Sequence, residues 1–285
     1  MENWNTELSL ERPFGPWLLK AKLPEDVLDK MIEITDKITD DTQNISLGHG
    51  LAGIIEDEPF VPNEILKSEG IYNYFIDLVR YYANESMNRA MAAEGEGYSL
   101  DELINRNYTA PTIEEVNRSF QSTKQKKKPK LKVDMESMWI VNQKETEYNP
   151  THLHTNCTIS SVMYLKIPKY KPRNIPGKNI MDGKIEFIYH ASGEMWKTFE
   201  SGTLSHQPEV GDIFMWPSNL LHTVYPFLGD GVRRSCSFNS YHEFQSQEPL
   251  TGQPGVSIIS MNEARLQTKV SLLEDELEKV KSKKQ

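Results

Sequence analysis

Residues 149–166 read NPTHLHTNCTISSVMYLK. Two histidines, His152 and His154, stand two apart, just ahead of a β-branched run. Alternate side chains of a strand share a face and lie within ~7 Å of each other, so two imidazoles so placed can converge on one metal. A solvated strand face with two histidines explains the pair equally well, and the choice rests on the surrounding sequence. That sequence turns β from residue 133 onward. VDMESMWIVNQ (133–143), ISSVMYLKIP (159–168), GKIEFIY (183–189), GDIFMWP (211–217) and RRSCSFNSY (233–241) are short strand-like runs with Pro, Gly and Asn between them. Many short strands punctuated by turns predict a β-sandwich or barrel.

Upstream the texture is helical. In LPEDVLDKMIEITDKIT (23–39), Val27, Met31, Ile34 and Ile38 recur at helical spacing, and Pro24, Glu25 and Asp26 suit a first turn. A second helix is predicted over about 64–92, capped by Asn63, with Ile71, Phe75, Leu78, Val79 and Tyr82 on one side and Gly70 weakening its first turn. These helices are expected to cover a sheet, as a support layer of the same domain over residues 1–92. Residues 93–132 form an insertion or lid-like loop. Its run Lys124, Lys126, Lys127, Lys128, Lys130, Lys132 reads as a solvated tip, or as an electrostatic handle for an anionic partner. The β-core spans 133–250. From 260 the pattern is helical again: Ser260 and Glu263 match a capping box, and Leu266, Val270, Leu273, Leu277 and Val280 form an a/d seam. That seam, within a helix over 260–285, could join copies of the chain through 266–280. The fold class is therefore α+β.

The bulk numbers narrow the function. The net charge of −9 disfavours non-specific nucleic-acid binding. Cys157 and Cys236, the two cysteines, supply no disulfide framework. No signal peptide is visible at MENWNTELSLERPFGPW and no apolar run nears membrane-spanning length, so a cytoplasmic protein without membrane contact is expected.

A third imidazole follows the pair. In PEVGDIFMWPSNLLHTVYPF (208–227), Gly211 and Asp212 make a turn, Pro217 ends a short strand, and His222 comes five residues later. Three imidazoles on one β-domain suit iron, zinc, copper or nickel. In GVRRSCSFNSY (231–241), Arg233, Ser235, Ser237 and Asn239 share one face of a strand, and Arg234, Cys236, Phe238 and Ser240 the other. An arginine and a serine on one face can grip a carboxylate, although a solvated edge strand would read the same way. His49, His190, His206 and His242 read as loop or structural histidines.

His222 followed by Arg233-x-Ser235 resembles the end of the 2-oxoglutarate and Fe(II)-dependent oxygenase core, prolyl-hydroxylase-like in type. The resemblance extends to the 2-oxoglutarate oxygenases common in phage and marine bacterial genomes. WIVNQKETEYNPTHLHTN, ISSVMYLKIP, GDIFMWPSNLLHTVYPF and RRSCSFN look like that group's successive segments, over roughly 133–241, with weaker echoes at 12–66 that include LAGIIEDE (51–58). The resemblance implies a double-stranded β-helix, or jelly roll, flanked by N-terminal helices and a C-terminal helical tail. It implies iron bound by His152 and His222, and a 2-oxoglutarate carboxylate held by Arg233 with Ser235 and Tyr164. Asn142, in the strand leading in with Trp139, is expected to line the cosubstrate pocket. The cofactor set is Fe(II), 2-oxoglutarate and O2, with room for ascorbate. The reaction is hydroxylation of a C–H bond in a protein side chain or a small molecule, in the cytoplasm, that of a host cell if the protein is phage-encoded.

One position departs from the superfamily, which places a carboxylate where this chain has His154. His154 itself is the expected third ligand, with Glu145, Glu147 or Asn156 as other donors nearby. Two further readings stand beside the oxygenase. A cupin-type metal protein uses the same barrel, but no glutamate follows His154 by four or five residues, and Arg233-x-Ser235 has no cupin role. A non-catalytic jelly-roll assembly module would use the 266–280 seam and the lysine run.

Overall fold

The computed structural model describes residues 8–11, 15–41, 46, 48, 51–93, 130–173, 175–176, 179–189 and 202–245. Most of the 93–132 insertion, His49, His190 and the whole 260–285 helix fall outside the described residues. The described chain builds two antiparallel sheets. Strands β1 (Leu8–Glu11), β2 (Leu18–Lys22), β3 (Phe60–Val61), β4 (Lys130–Gln143), β6 (Ile159–Lys166), β9 (Asp212–Pro217) and β11 (Arg233–Gln245) form the larger, in the order β1-β2-β9-β6-β11-β4-β3. Strands β5 (Asn149–His152), β7 (Ile185–Ile188), β8 (Thr203–His206) and β10 (Leu221–Val224) form the smaller, in the order β5-β10-β7-β8. The first two strands thus precede the helices and pair into the main sheet through β9.

Helix α1 (Glu25–Asp40) matches the predicted span and buries Val27, Met31, Ile34 and Ile38. The second helix differs from expectation. It is two helices, α2 (Asn63–Ser68) and α3 (Tyr72–Ala93), because Gly70 adopts a left-handed φ of 75° that ends one helix before the other begins. Asn63 does not cap: its side-chain amide donates instead to the carbonyl of Met135 in β4. Ile71, Phe75, Leu78, Val79 and Tyr82 are all buried, as their spacing predicts. They pack with α1 on the outer face of the main sheet, against Met138, Ile140, Met163, Cys236 and Phe238. Each such side chain withdrawn from water contributes on the order of 1.5–3 kcal/mol, before conformational entropy is set against it. Strand β4 starts at Lys130 rather than 133, because it pairs along its length with β11 as far as Gln245.

The inner face of the main sheet meets the small sheet. Val162, Tyr164, Phe214 and Trp216 from the one pack with Ile185, Phe187 and Val224 from the other. The adjacent arginines of β11 are divided by the pleat. Arg234 points to the helical side, where Asp36 of α1 pairs with it and with Lys166, and its Nε donates to Asn142 Oδ1 at 2.7 Å. Lys166 and Arg234 hold the Asp36 carboxyl below the usual range. Arg233 points inward, between the sheets.

Candidate metal and carboxylate site

The site begins with a register. Strands β5 and β10 are antiparallel neighbours, and His152 lies directly opposite His222, the arrangement that brings cross-strand side chains closest. His154 lies two residues past the end of β5, where its backbone N–H donates to Ser218 O at 2.9 Å. This bond turns the loop back so that the ring joins the other two. The ring centroids lie 4.2 Å apart for His152–His222, 5.1 Å for His154–His222 and 5.3 Å for His152–His154. One nitrogen from each ring falls within 4.8 Å of the others.

The other ring nitrogens are already engaged. Nδ1 of His152 meets Pro150 O at 2.7 Å, Nδ1 of His222 meets Leu220 O at 3.1 Å, and Nδ1 of His154 meets Asn239 Oδ1 at 2.8 Å. Carbonyl oxygens only accept, so each Nδ1 carries the proton and each Nε2 presents a lone pair. Burial keeps all three rings neutral: it depresses His152, takes His154 down to about 4, and holds His222 far below its ordinary value. Three neutral imidazoles with converging lone pairs fit a divalent transition metal. Among the described residues this is the one such cluster of His, Cys, Asp and Glu. The other suggested donors stand elsewhere. Glu147 accepts from Lys144 N at 2.6 Å within the β4–β5 turn, Glu145 is not in the cluster, and Asn156 is exposed in a left-handed turn with φ 67°.

Asn239 was not assigned a role from sequence beyond its place on the Arg233 face. Its carbonyl oxygen also receives the Ser160 hydroxyl at 3.4 Å. Replacing Asn239 by leucine should leave His154 free to change tautomer and lower Zn(II) or Ni(II) affinity about tenfold. Asn239→Asp, which keeps the acceptor, should restore it. Equal affinity in the leucine variant would remove Asn239 from this role.

The histidines open onto a cavity of about 280 Å³ whose walls also include Arg233, Ser235, Ser237, Asn239, Trp139 and Glu58. Arg233 is 1% exposed, and among the described residues no carboxylate pairs with it. One Nη1 donates to Gly183 O at 2.9 Å, the guanidinium carbon lies 5.4 Å from the centroid of the Tyr164 ring, and Nε has no partner. The Tyr164 hydroxyl is buried nearby without a partner, and the Tyr170 hydroxyl stands against the Arg233 guanidinium. A buried cation surrounded by unused donors is costly unless an anion completes it, and a carboxylate matches the planar fork of arginine.

The structure therefore brings His152, His154, His222, Arg233 and Ser235 around one cavity, with Tyr164 buried behind Arg233. Asn142 is elsewhere: the pleat that turns Arg234 away turns Asn142 with it, and its amide donates to Asp57 Oδ2 at 2.7 Å and to Thr39 Oγ1 at 3.2 Å. His206 is paired with Asp212 at 3.1 Å and His242 with Thr158 at 2.8 Å, as structural histidines. Neither Cys157 nor Cys236 is in a disulfide.

Glu58 is the acidic member of the cavity wall. It is 1% exposed, and its carboxyl is pushed up to about 7 by burial and by the negative charges of Glu147 and Asp57. The folded protein thus keeps this proton between about pH 4.5 and 7, where the unfolded chain has released it. The associated stability is complete below about pH 4.5 and is lost as pH rises through 7. The loss is on the order of 2–3 kcal/mol. Glu58→Gln should therefore match the parent protein in urea unfolding at pH 4.5 and exceed it by about 1–3 kcal/mol at pH 8. A difference that does not change with pH would show that Glu58 is not held this way.

Residues 137–239 match the family model described as "Putative 2OG-Fe(II) oxygenase". No curated protein matches. Three solved structures illustrate the similarity. They are an oxidoreductase of the 2OG-Fe(II) oxygenase family from Burkholderia pseudomallei (12% identity, 47% of this chain and 55% of that one, TM-score 0.29), a prolyl-4-hydroxylase from Pseudomonas putida (12%, 86% and 95%, 0.39) and a viral collagen prolyl hydroxylase from Paramecium Bursaria Chlorella virus-1 (9%, 84% and 98%, 0.32). The chain spans little more than half the length of the first. No helix among the described residues is long and apolar enough to cross a membrane.

Proposed function

We propose that the protein is an Fe(II)- and 2-oxoglutarate-dependent oxygenase that hydroxylates a substrate C–H bond, and that its two sheets are a double-stranded β-helix. One observation carries the reading: three histidine lone pairs converge in the same cavity as a buried arginine with which no carboxylate among the described residues pairs. His152, His154 and His222 would hold the iron. Arg233, with Ser235 beside it and Tyr164 behind it, would hold the far carboxylate of 2-oxoglutarate. When bound, iron and cosubstrate supply the oxidising chemistry, in which O2 and 2-oxoglutarate become succinate and CO2 while a C–H becomes C–OH. The chain's own contribution is placement. The carbonyls of Pro150, Leu220 and Asn239 fix the three rings, and the fork of Arg233 fixes the cosubstrate at one end. The apolar wall of Val141, Val162, Ile185 and Val224 keeps water from the space between them.

The test is anaerobic addition of Fe(II) and then 2-oxoglutarate to the full chain. A visible charge-transfer band that needs both additions, and succinate formed on admitting oxygen, are the expected results. Absence of both would end the oxygenase reading.

A further inference from the structure

Once the three histidines and Arg233 are given to metal and cosubstrate, one charged group of the cavity wall remains. Among the described residues that line it, Glu58 is the sole acid. Its position follows from register. Phe60 pairs with Trp139 in the β3–β4 ladder, and the backbone pairing continues upstream through Ile140 N to Pro59 O at 2.8 Å and Asn142 N to Asp57 O at 3.0 Å. Residue 58 therefore stands opposite Val141. It shares the inward face with Val141 and Trp139, whereas Asp57 is turned outward to Asn142. Arg233 is two strands away, about 10 Å by strand spacing, and makes no ion pair with Glu58. Glu58 Oε2 is buried, and among the described residues nothing hydrogen-bonds to it. The nearest charges that act on it are negative, from Glu147 and Asp57. It is also not one of the group whose ligand atoms cluster for a metal. Lys144, the basic residue of the neighbouring turn, is exposed and paired with Glu56.

A buried carboxyl group on the same inward face as an indole suits a cationic guest, whose charge would hold the carboxyl ionised. A cation satisfies the carboxylate directly and gains from the face of Trp139. We infer that Glu58, with Trp139, is the substrate-recognition element of this cavity and that the substrate presents an ammonium or guanidinium group to it. The inference rests on the oxygenase reading, since it assigns the cavity's other charges to iron and 2-oxoglutarate. Trp139 and the apolar side chains of Leu51, Ala52 and Leu153 offer a surface for the alkyl portion that carries the cation.

The experiment uses the full chain loaded with Zn(II) and 2-oxoglutarate, and titrates n-butylammonium chloride against n-butanol by ligand-observed NMR. The parent protein should bind the ammonium at least tenfold more tightly than the alcohol. Glu58→Gln should abolish that preference, Glu58→Asp should keep most of it, and both should bind Zn(II) within about twofold of the parent. No ammonium preference in the parent protein overturns the inference without any variant, as does a preference that survives Glu58→Gln. A fall in Zn(II) affinity as large as that of His154→Ala would make Glu58 a metal ligand and also overturn it. Failure of the oxygenase reading shows separately, as the absence of a charge-transfer band with Fe(II) and 2-oxoglutarate.

Discussion

Arg233→Ala is expected to weaken 2-oxoglutarate binding about 10²–10³-fold. Removing one partner of a buried, hydrogen-bonded ion pair costs about 3–5 kcal/mol, and each 1.4 kcal/mol is a factor of ten in affinity. Calorimetric titration of 2-oxoglutarate into the Ni(II)-loaded protein measures it. Arg233→Lys keeps the charge but loses the fork, so it should fall between the two. The same site predicts an opposite effect on stability. In the unliganded protein the guanidinium is buried with Nε unpaired, so Arg233→Met should be no less stable than the parent to urea and can exceed it. Loss of cosubstrate binding without loss of stability distinguishes a binding residue from a structural one. Binding within threefold of the parent in Arg233→Ala would remove 2-oxoglutarate from this end of the cavity.

The division of labour between Arg233 and Arg234 shows what the sequence could convey. Strand alternation alone separated the two faces of 233–240, and the cavity wall takes Arg233, Ser235, Ser237 and Asn239, the face the alternation groups together. The same alternation applied to 133–143 excludes Asn142, because Trp139 and Val141 line the cavity and residue 142 must face the other way. Its assignment followed resemblance where the pleat was the better guide. The helices were legible from apolar spacing, but the break at Gly70 turned on a single backbone angle that spacing does not encode. His154 joined the triad not by strand alternation but through a hydrogen bond from its backbone to Ser218, 64 residues away in sequence. Glu58 and Asn239 were missed as individual groups for the same reason. Each acquires its role only when a distant strand pairs beside it. Glu58 lay within LAGIIEDE (51–58), a stretch read only as a weak echo of the family, with no role given to any single residue. Three neighbouring acids diverge there: Glu56 goes to Lys144, Asp57 to Asn142, and Glu58 into the cavity.

His154→Ala should lower divalent-metal affinity about 10²-fold or more, the second large effect. A protein site that binds zinc with about 10–16 kcal/mol through four ligands draws about 3 kcal/mol from each, or roughly two orders of magnitude in affinity. His154→Asp is the informative companion. The parent site is made of three neutral donors, and a carboxylate would add a negative charge next to a dication, so the aspartate variant should bind Fe(II) more tightly than the parent if its shorter side chain reaches. The neighbours of position 154 favour that reach at one end and oppose it at the other. Asn239 donates from its amide as readily as it accepts, and can turn to hold a carboxylate. Trp139 and Trp216, with ring centroids 5.8 and 6.5 Å from His154, lose an aromatic neighbour and leave space for water. Anaerobic Fe(II) binding to the three proteins, read by competition with a chromophoric chelator, separates the cases. Tighter binding in His154→Asp and weak binding in His154→Ala would establish position 154 as the third ligand. Parent-like affinity in His154→Ala would leave His152 and His222 as a two-histidine site that draws its remaining donor from elsewhere. The imidazole at 154 would then serve only to pack against the two tryptophans.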